Sequence, residues 1–208
     1  AEHCFGMILD LAKQITQADR GLRNRGEYRH SPYLGKEIFG KTLGIVGTGA
    51  IGQRVAKIVS GFSMQVIGIN KSGKETDGIT LVSLETLLTK SDVIAVTVPL
   101  TSETENLLTE KEFAQMKEGV ILVSISREGI VNKQAVLQAL DSGKVFGFGI
   151  EREIMSPLEE NDPYLGQERV VITPHTGAQT VEADERCYTM TVENINAFLD
   201  GTPIRVVN

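Results

Sequence analysis

Residues 44–52 read Gly-Ile-Val-Gly-Thr-Gly-Ala-Ile-Gly and join a short apolar strand to a helical segment over residues 53–59. Gly47, Gly49 and Gly52 have the GxGxxG spacing of a dinucleotide-binding turn. In such a turn the first glycine permits the tight bend, the second lets backbone amides approach a pyrophosphate, and the third lets helix and strand pack closely. The amino end of the helix adds positive potential. The alternative is a glycine-rich turn that only packs.

The sequence around this turn predicts a doubly wound parallel sheet, the α/β architecture of a Rossmann domain. Apolar runs at consecutive positions are typical of buried parallel strands, and helical segments between them supply the crossovers. The further strands are predicted at residues 65–69, 93–98, 119–124, 145–150 and 170–173, and the helices at 84–89, 110–115, 133–140 and 180–199. An amino-terminal helix over residues 1–22 and a polar connector over residues 23–40 precede them.

This pattern divides the chain into three parts. We predict a helix and a polar arm or connector in residues 1–40, the Rossmann domain in residues 41–177, and a C-terminal helix and tail of the same domain in residues 178–208. The first residue is Ala and not Met, which suggests a chain that begins inside a longer protein.

The composition narrows the classes of partner. A net charge of −6 without a long basic run argues against nucleic acid, and no apolar run approaches the length of a membrane span, so we expect a cytoplasmic protein. Cys4 and Cys187 are far apart in sequence and lack the spacing of metal ligands. We therefore expect two reduced structural cysteines and no metal site.

Polar residues follow three of the predicted strands, at the edge of the sheet where open α/β folds bind ligands. Pro99 follows one strand, Ser126 and Arg127 the next, and His175 the last. An arginine can hold a substrate carboxylate through two hydrogen bonds, and a histidine can exchange the proton that accompanies hydride transfer. Each residue alone could equally be a surface ion-pair arginine or a hydrogen-bonded loop histidine.

Together these motifs resemble the D-isomer-specific 2-hydroxyacid dehydrogenases, an NAD(P)-dependent family. Ala1-Glu2-His3 resembles the family's hinge segment, and residues 40–47 resemble its first Rossmann strand. Pro99-Leu100-Thr101 with Thr104 is similar to its proline–threonine loop. Arg127 falls on the catalytic arginine, and Thr173-Pro174-His175 on the segment with the catalytic histidine.

The resemblance implies a cofactor site, a substrate and an assembly. The implied cofactor-binding residues are Gly47, Gly49, Ala50, Ile51, Gly52, Asn70, Lys71, Ser72, Pro99, Thr104, Ser126, Glu151 and Gly177. The implied substrate is a small 2-oxo or 2-hydroxy acid, and the implied assembly is a homodimer with residues 23–36 as an embracing arm. The family's substrate lobe has no counterpart here, so the isolated chain is expected to be poorly active.

Ser156 and Glu128 are among the positions that depart from the family pattern. An ungapped alignment places Ser156 where the family carries the glutamate that hydrogen-bonds its catalytic histidine. A carboxylate favours the imidazolium form, so its absence predicts weaker proton donation by His175 at neutral pH, unless Glu151 or Glu153 takes its place. Glu128 stands where a glycine usually follows the arginine, which adds negative charge beside a site for an anionic substrate.

The end of the second strand bears on cofactor choice. Asn70 stands eighteen residues after Gly52, where NAD enzymes carry a carboxylate that binds the ribose hydroxyls and would repel a 2′-phosphate. Lys71, Ser72 and Lys74 follow as possible phosphate donors, which favours NADP(H) over NAD(H). The alternative is a solvated lysine-rich turn.

Two functions remain open from the sequence. The first is an NAD(P)H-dependent oxidoreductase that interconverts a small 2-oxo acid and a D-2-hydroxy acid, with Arg127 and His175 as catalytic residues. The second is a catalytically weakened, nucleotide-binding regulatory or interaction protein on the same scaffold.

Overall fold

The computed structural model describes residues 1–26, 28–153 and 159–206. The chain divides into two compact units, Ala1–Gly177 and Ala178–Asn208. Ser156, which the alignment places at the family's glutamate position, lies outside the described residues. In the described ranges no helix combines the length and the apolar composition that a bilayer crossing requires.

The first unit is built on a seven-stranded parallel sheet, which confirms the predicted doubly wound fold. The strands are β1 Thr42–Val46, β2 Gln65–Ile69, β3 Thr80–Leu81, β4 Val93–Val96, β5 Val120–Ser124, β6 Val145–Glu151 and β7 Val170–Thr173. Their order is β3-β2-β1-β4-β5-β6-β7. Strands β2 and β3 are therefore added on one side of β1, and strands β4 to β7 on the other, so the topological switch point lies between β1 and β4. That switch point is where open α/β sheets bind ligands, beyond the carboxyl ends of the strands.

The helices follow the predicted pattern with small shifts at their ends. They are α1 Glu2–Lys13, α2 Ile15–Arg25, α3 Ala50–Val59, α4 Leu84–Lys90, α5 Glu110–Gln115, α6 Lys133–Asp141 and α7 Val181–Leu199. Single 3-10 turns occupy Ser31–Tyr33, Ser60–Phe62, Glu128–Ile130 and Pro163–Gly166. The short edge strand β3 has too few residues for a periodic signal, and the sequence analysis did not predict it.

The amino-terminal helix is two helices and not one, because the chain bends at Gln14. This residue adopts the left-handed conformation with φ 54° and ψ 41°, which ends α1 and starts α2. Its side-chain amide donates to the Leu34 carbonyl at 2.7 Å, which ties the bend to the connector. The continuous helix predicted over residues 1–22 is therefore wrong at this point.

Apolar clusters cover both faces of the sheet, as the doubly wound arrangement requires. One cluster contains Leu87, Phe113 and Val136 from α4, α5 and α6. The other contains side chains of α1 and α3, among them Ile8 and Val55.

Helix α1 packs directly on β5 and β6, where the sheet carries glycines. A Cβ at Gly149 would lie 3.3 Å from Met7 Sδ, and one at Gly147 would lie 2.9 Å from a Leu11 methyl. The absence of these side chains lets α1 approach the sheet closely. Residues 1–40 and the seven strands lie in one compact unit, and the predicted division of the chain at residue 40 stays a prediction.

The second unit contains α7, close to the helix predicted over residues 180–199. Thr180 caps it by accepting a hydrogen bond from the Ala183 amide at 3.1 Å. None of the α7 residues is buried. The assignment of residues 178–208 to the same domain as the sheet stays a prediction.

Candidate cofactor and substrate site

The three glycines after β1 occupy positions that impose different constraints. Gly47 has a φ of 104°, and a Cβ there would lie 2.7 Å from a Val98 methyl. A Cβ at Gly52 would overlap the Gly47 carbonyl oxygen, whereas a Cβ at Gly49 would meet only open space. Protein atoms therefore leave no room for a side chain at the first and third glycines. At the second glycine there is free space, which lies in front of the amino end of α3.

This geometry fits a dinucleotide pyrophosphate, which needs close approach at the second glycine and the amino end of a helix. Ala50 is the first residue of α3, and Ile51 is 46% exposed although it is apolar. The Gly47 carbonyl is fixed from behind because it accepts a hydrogen bond from Thr97 Oγ1 at 2.6 Å. The backbone of the turn is thus held in place before any ligand arrives.

Asn70, at the end of β2, uses its amide to close the loop that follows. It donates to Thr48 Oγ1 at 2.7 Å and to the Lys74 carbonyl at 3.0 Å, and its own oxygen accepts from Ser72 Oγ at 3.2 Å. Lys71 pairs with Glu103 at 2.7 Å. Both partners of that ion pair are mostly exposed, and exposed pairs contribute only about 0–1 kcal/mol, so Lys71 is available to another anion.

A cleft of about 520 Å³ opens at the carboxyl edge of the sheet beside the glycine turn. Its lining combines one residue of α3, the loop after β4, the loop after β5 and one residue after β6: Ile51, Thr97, Val98, Pro99, Leu100, Ile125, Ser126, Arg127 and Glu153. Thr104 holds the loop after β4 by donating to the Pro99 carbonyl at 2.6 Å. Ser126 Oγ donates to the Val96 carbonyl at 3.0 Å and is buried. Pro99, Ser126 and Arg127 therefore line one cleft, and Thr104 supports its wall.

Arg127 lies in this cleft with an acidic neighbour. Its Nη1 donates to the Ser126 carbonyl at 3.1 Å, and its Nε lies 2.7 Å from Glu153 Oε1. The side chains of Arg127 and Glu153 are 44% and 42% exposed, so both remain open to solvent and to a ligand. The sequence predicts Glu153 only as a partner for His175, whereas in the structure it pairs with Arg127.

Glu128 does not direct its charge at the substrate site, contrary to the expectation from the sequence. Its carboxylate lies 3.0 Å from Arg152 Nη1, which also contacts Asp162 at 2.9 Å. Asp162 further pairs with Lys133 at 2.7 Å and accepts from the Tyr164 amide at 2.9 Å. The charge that replaces the family's glycine is therefore neutralised in a cluster of four ionic side chains.

The pKa of Asp162 is lowered within this cluster. Burial alone would raise the pKa of the carboxyl, but hydrogen bonds from Lys133 and from the Tyr164 amide outweigh burial, and the charges of Lys133 and Arg152 add to them. The same surroundings act in the opposite sense on Tyr164, whose pKa is raised by burial and by the nearby Glu128 and Asp162 carboxylates.

Glu151, the last residue of β6, fixes the loop that carries His175. Its Oε1 accepts a hydrogen bond from the Gly177 amide at 2.5 Å and lies 3.8 Å from His3 Nε2. His3 in turn contacts Thr173 Oγ1 at 2.9 Å. A Cβ at Gly177 would lie 2.9 Å from Glu151 Oε2, so only glycine fits this contact without a shift.

His175 follows β7 and is half-buried, with a φ of 56° in the left-handed region. One strand, β6, separates β7 from β5, which places the two strand ends about 10 Å apart. Among residues 1–26, 28–153 and 159–206, no side chain hydrogen-bonds the His175 imidazole. Glu151 thus positions the backbone of this loop and not the imidazole.

His3 is a site residue that the sequence analysis quoted only as part of the hinge segment. Its contact with Thr173 spans the length of the chain, which no local pattern reveals. Within the described ranges, no group of three or more His, Cys, Asp or Glu side chains could hold a metal ion.

Comparison with known proteins bears directly on this site. Residues 5–177 match the family described as "D-isomer specific 2-hydroxyacid dehydrogenase, NAD binding domain". The chain is 37% identical over 209 residues to D-3-phosphoglycerate dehydrogenase of Archaeoglobus fulgidus, covering 99% of this chain and 40% of that protein. It is 38% identical over 198 residues to hydroxypyruvate reductase of Thermotoga maritima, covering 94% of this chain and 64% of that protein.

A solved structure shows the same arrangement. The acyclic imino acid reductase Bsp5 in complex with NADPH and D-Arg superposes with a TM-score of 0.91 at 34% identity, covering 100% of this chain and 66% of that one. The chain thus spans between two fifths and two thirds of the length of these relatives. The match runs from α1 through the glycine turn to the loop with His175, and on this ground the chain belongs to the D-isomer-specific 2-hydroxyacid dehydrogenases, of which it contains the NAD-binding domain.

Proposed function

We propose that the protein is an NAD(P)H-dependent oxidoreductase that interconverts small 2-oxo acids and D-2-hydroxy acids. The observation that carries this proposal is that one cleft at the carboxyl edge of the sheet is lined both by Ile51, which lies in the first turn of α3 within the GxGxxG segment, and by Arg127. A dinucleotide bound at the glycine turn and a substrate carboxylate bound by Arg127 would lie next to each other in this cleft. The activity of the relatives supports the same reaction class.

The residues of the chain have distinct roles in this reaction. Gly47, Gly49 and Gly52 with Ala50 hold the dinucleotide, whose nicotinamide ring supplies or accepts the hydride when it is bound. Arg127 binds the substrate carboxylate, because a guanidinium offers two parallel hydrogen bonds to it.

His175 gives the proton to the carbonyl oxygen during reduction and takes it back during oxidation. Glu151 positions the loop that carries this histidine through its hydrogen bond to the Gly177 amide.

The direct test is steady-state reduction of glyoxylate and hydroxypyruvate with NADPH and with NADH. Arg127→Met should raise KM for the acid at least about tenfold, because the charged hydrogen bonds to the carboxylate are lost. His175→Gln should lower kcat by about a hundredfold or more, because the proton donor is lost.

The matched control is Arg205→Met, which removes an arginine that is 42% exposed, as against 44% for Arg127, and whose partners Glu193 and Asn194 lie in the second unit. Its kinetic constants should equal those of the unaltered protein. If the protein binds the dinucleotide tightly and reduces none of the acids, the proposed reduction of 2-oxo acids is refuted.

We further propose that NADPH is the preferred cofactor. The loop after β2 presents a neutral Asn70 and the amines of Lys71 and Lys74, and the Lys71 partner is an exposed carboxylate that a phosphate could replace. The solved imino acid reductase holds NADPH, which supports the capacity of this scaffold for the phosphorylated dinucleotide.

A homodimer formed through the cofactor domain, with residues 23–36 as the arm, completes the proposal. In that tract Tyr28 and Leu34 are 88% and 80% exposed, which is unusual for large apolar side chains and consistent with a covered surface in the assembly. Light scattering at micromolar concentration should give twice the chain mass, and a monomer would remove this part of the proposal.

A further inference from the structure

The ion pair between Arg127 and Glu153 lies inside the proposed substrate cleft. Arg127 Nε and Glu153 Oε1 are 2.7 Å apart, and both side chains line the cleft beside Ser126 and Pro99. Each side chain is more than two fifths exposed, so the pair adds little to folding stability. Its effect falls on whatever ligand enters the cleft.

A simple 2-oxo acid is poorly matched to this pair. Its carboxylate would approach the Arg127 guanidinium and would then lie beside a second anion, the Glu153 carboxylate. Like charges at such separations repel, and the repulsion grows as water leaves the site. The other acids near this edge are already occupied, since Glu128 pairs with Arg152 and Glu151 accepts from Gly177.

A ligand that carries a cation next to its carboxylate is well matched. The two protein charges are separated by one hydrogen-bond distance, so complementary charges on the ligand must be only one or two bonds apart. That requirement selects a protonated nitrogen on the carbon that bears the carboxylate, as in a 2-iminium acid or a 2-amino acid. If the amine lies farther along the ligand tail, the ligand cannot contact Arg127 through its carboxylate and Glu153 through its amine at the same time.

We propose, on the basis of the function proposed above, that Glu153 is a specificity-determining residue that makes 2-iminium acids the preferred substrates over 2-oxo acids. Arg127 binds the carboxylate of the iminium acid, and Glu153 accepts a hydrogen bond from its nitrogen. The product bound in the same way is the corresponding 2-amino acid.

The chemistry of this substrate also agrees with the described surroundings of His175. The iminium carbon accepts the hydride and forms a C–H bond, the electron pair of the C=N double bond moves to nitrogen as a lone pair, and the reduced dinucleotide becomes the oxidised one. The nitrogen keeps its protons, so no proton donor is needed in the hydride-transfer step. Reduction of an oxo group does need a donor, and among residues 1–26, 28–153 and 159–206 no side chain hydrogen-bonds the His175 imidazole that would supply the proton.

The first test measures binding and requires no turnover. The protein saturated with NADP⁺ is titrated by calorimetry with D-alanine, which carries an α-ammonium group, and with D-lactate, which carries a hydroxyl group at the same place. We expect tighter binding of D-alanine, and we expect Glu153→Gln to reduce this preference by about tenfold or more, because a charged hydrogen bond is lost.

Two further variants make this result specific. Glu153→Asp keeps the charge and should keep most of the preference. Glu118→Gln removes a more exposed acid, 79% against 42% for Glu153, at the opposite, amino edge of the sheet, where it pairs with Lys144 at 2.7 Å, and should leave the preference unchanged. An equal preference in the unaltered protein and in Glu153→Gln overturns the assignment of Glu153.

The second test measures NADPH oxidation with pyruvate alone and with pyruvate in the presence of methylamine, which forms the iminium in solution. Methylamine should raise kcat/KM per pyruvate in the unaltered protein, and Glu153→Gln should abolish the gain. Turnover of pyruvate without any gain overturns the preference for iminium acids and leaves the proposed oxidoreductase intact. A third outcome is that no turnover occurs, while the unaltered protein prefers D-alanine in binding and Glu153→Gln does not. That outcome refutes the proposed reaction and supports the ligand selectivity of Glu153.

Discussion

Replacement of Asp162 by asparagine should destabilise the first unit strongly, although it exchanges only one heavy atom. Asp162 is 7% exposed and accepts charge-assisted hydrogen bonds from Arg152 at 2.9 Å and from Lys133 at 2.7 Å. Each such bond contributes about 1.5–3 kcal/mol. The asparagine side chain would keep one neutral acceptor, and Lys133, which is 42% exposed, would regain water, so part of this energy is recovered.

The remaining loss arises at Arg152, whose side chain is 9% exposed and would keep only Glu128 of these two acidic partners. Removal of one partner from a buried ion pair costs about 3–5 kcal/mol, and the contacts that Arg152 keeps, that with Glu128 among them, reduce this to about 2–4 kcal/mol. For a unit of this size the melting temperature should fall by roughly 5–15 °C. Urea unfolding at neutral pH, with calorimetry, measures both quantities.

The pH dependence of the free energy of unfolding identifies the Asp162 carboxylate as the source of this stabilisation. The pKa of Asp162 is below 3.8 in the folded protein, so the unfolded chain takes up the proton first as pH falls. The stabilisation by Asp162 is therefore complete well above pH 3.8 and is lost as pH falls through the folded pKa. The difference between the unaltered protein and Asp162→Asn should accordingly shrink in acid.

The matched control is Asp141→Asn, since Asp141 is exposed and accepts only a bond from Gln167 at 2.8 Å in the described part of the chain. We expect its free energy of unfolding to change by less than about 0.5 kcal/mol. The reasoning fails if Asp162→Asn is as mild as this control, or if its effect does not depend on pH.

Two substitutions test the site, and a labelling experiment tests the burial of Cys4. Gly49→Val should weaken binding of NADPH and NADH at least about tenfold, because the added side chain fills the open space in front of α3. The melting temperature should change little, since that space holds no protein atoms. If fluorescence titration gives the variant the same affinity as the unaltered protein, no pyrophosphate lies there. Asn70→Asp should reduce the ratio of NADPH to NADH affinity by about tenfold, because the new carboxylate repels the 2′-phosphate, whereas the loss of the two hydrogen bonds that the Asn70 amide donates loosens the loop for both cofactors. An unchanged ratio would exclude the loop after β2 from the phosphate site. Burial raises the pKa of the Cys4 thiol to about 12, so iodoacetamide at pH 8 should label the exposed Cys187 and leave Cys4 unmodified until the protein unfolds; labelling of both at similar rates would show that Cys4 is accessible.

The sequence by itself determined the fold, because the relevant signals are local. An apolar run that ends in Gly47, Gly49 and Gly52 specifies a strand, a tight turn and a helix within about fifteen residues. Alternation of such runs with helical segments then leaves a doubly wound sheet as the arrangement that buries both. The same rule placed Arg127 and His175 at the carboxyl edge, since each directly follows a buried strand.

Only the tertiary structure decided which charges meet. Arg127 pairs with Glu153, and Glu128 pairs with Arg152, across loops that follow different strands. The left-handed residue at Gln14 and the contact of His3 with Thr173 likewise depend on distant parts of the chain. Hydrogen bonds and ion pairs act over a few ångströms in space, and hydrophobic periodicity carries no information about which loops the sheet brings that close.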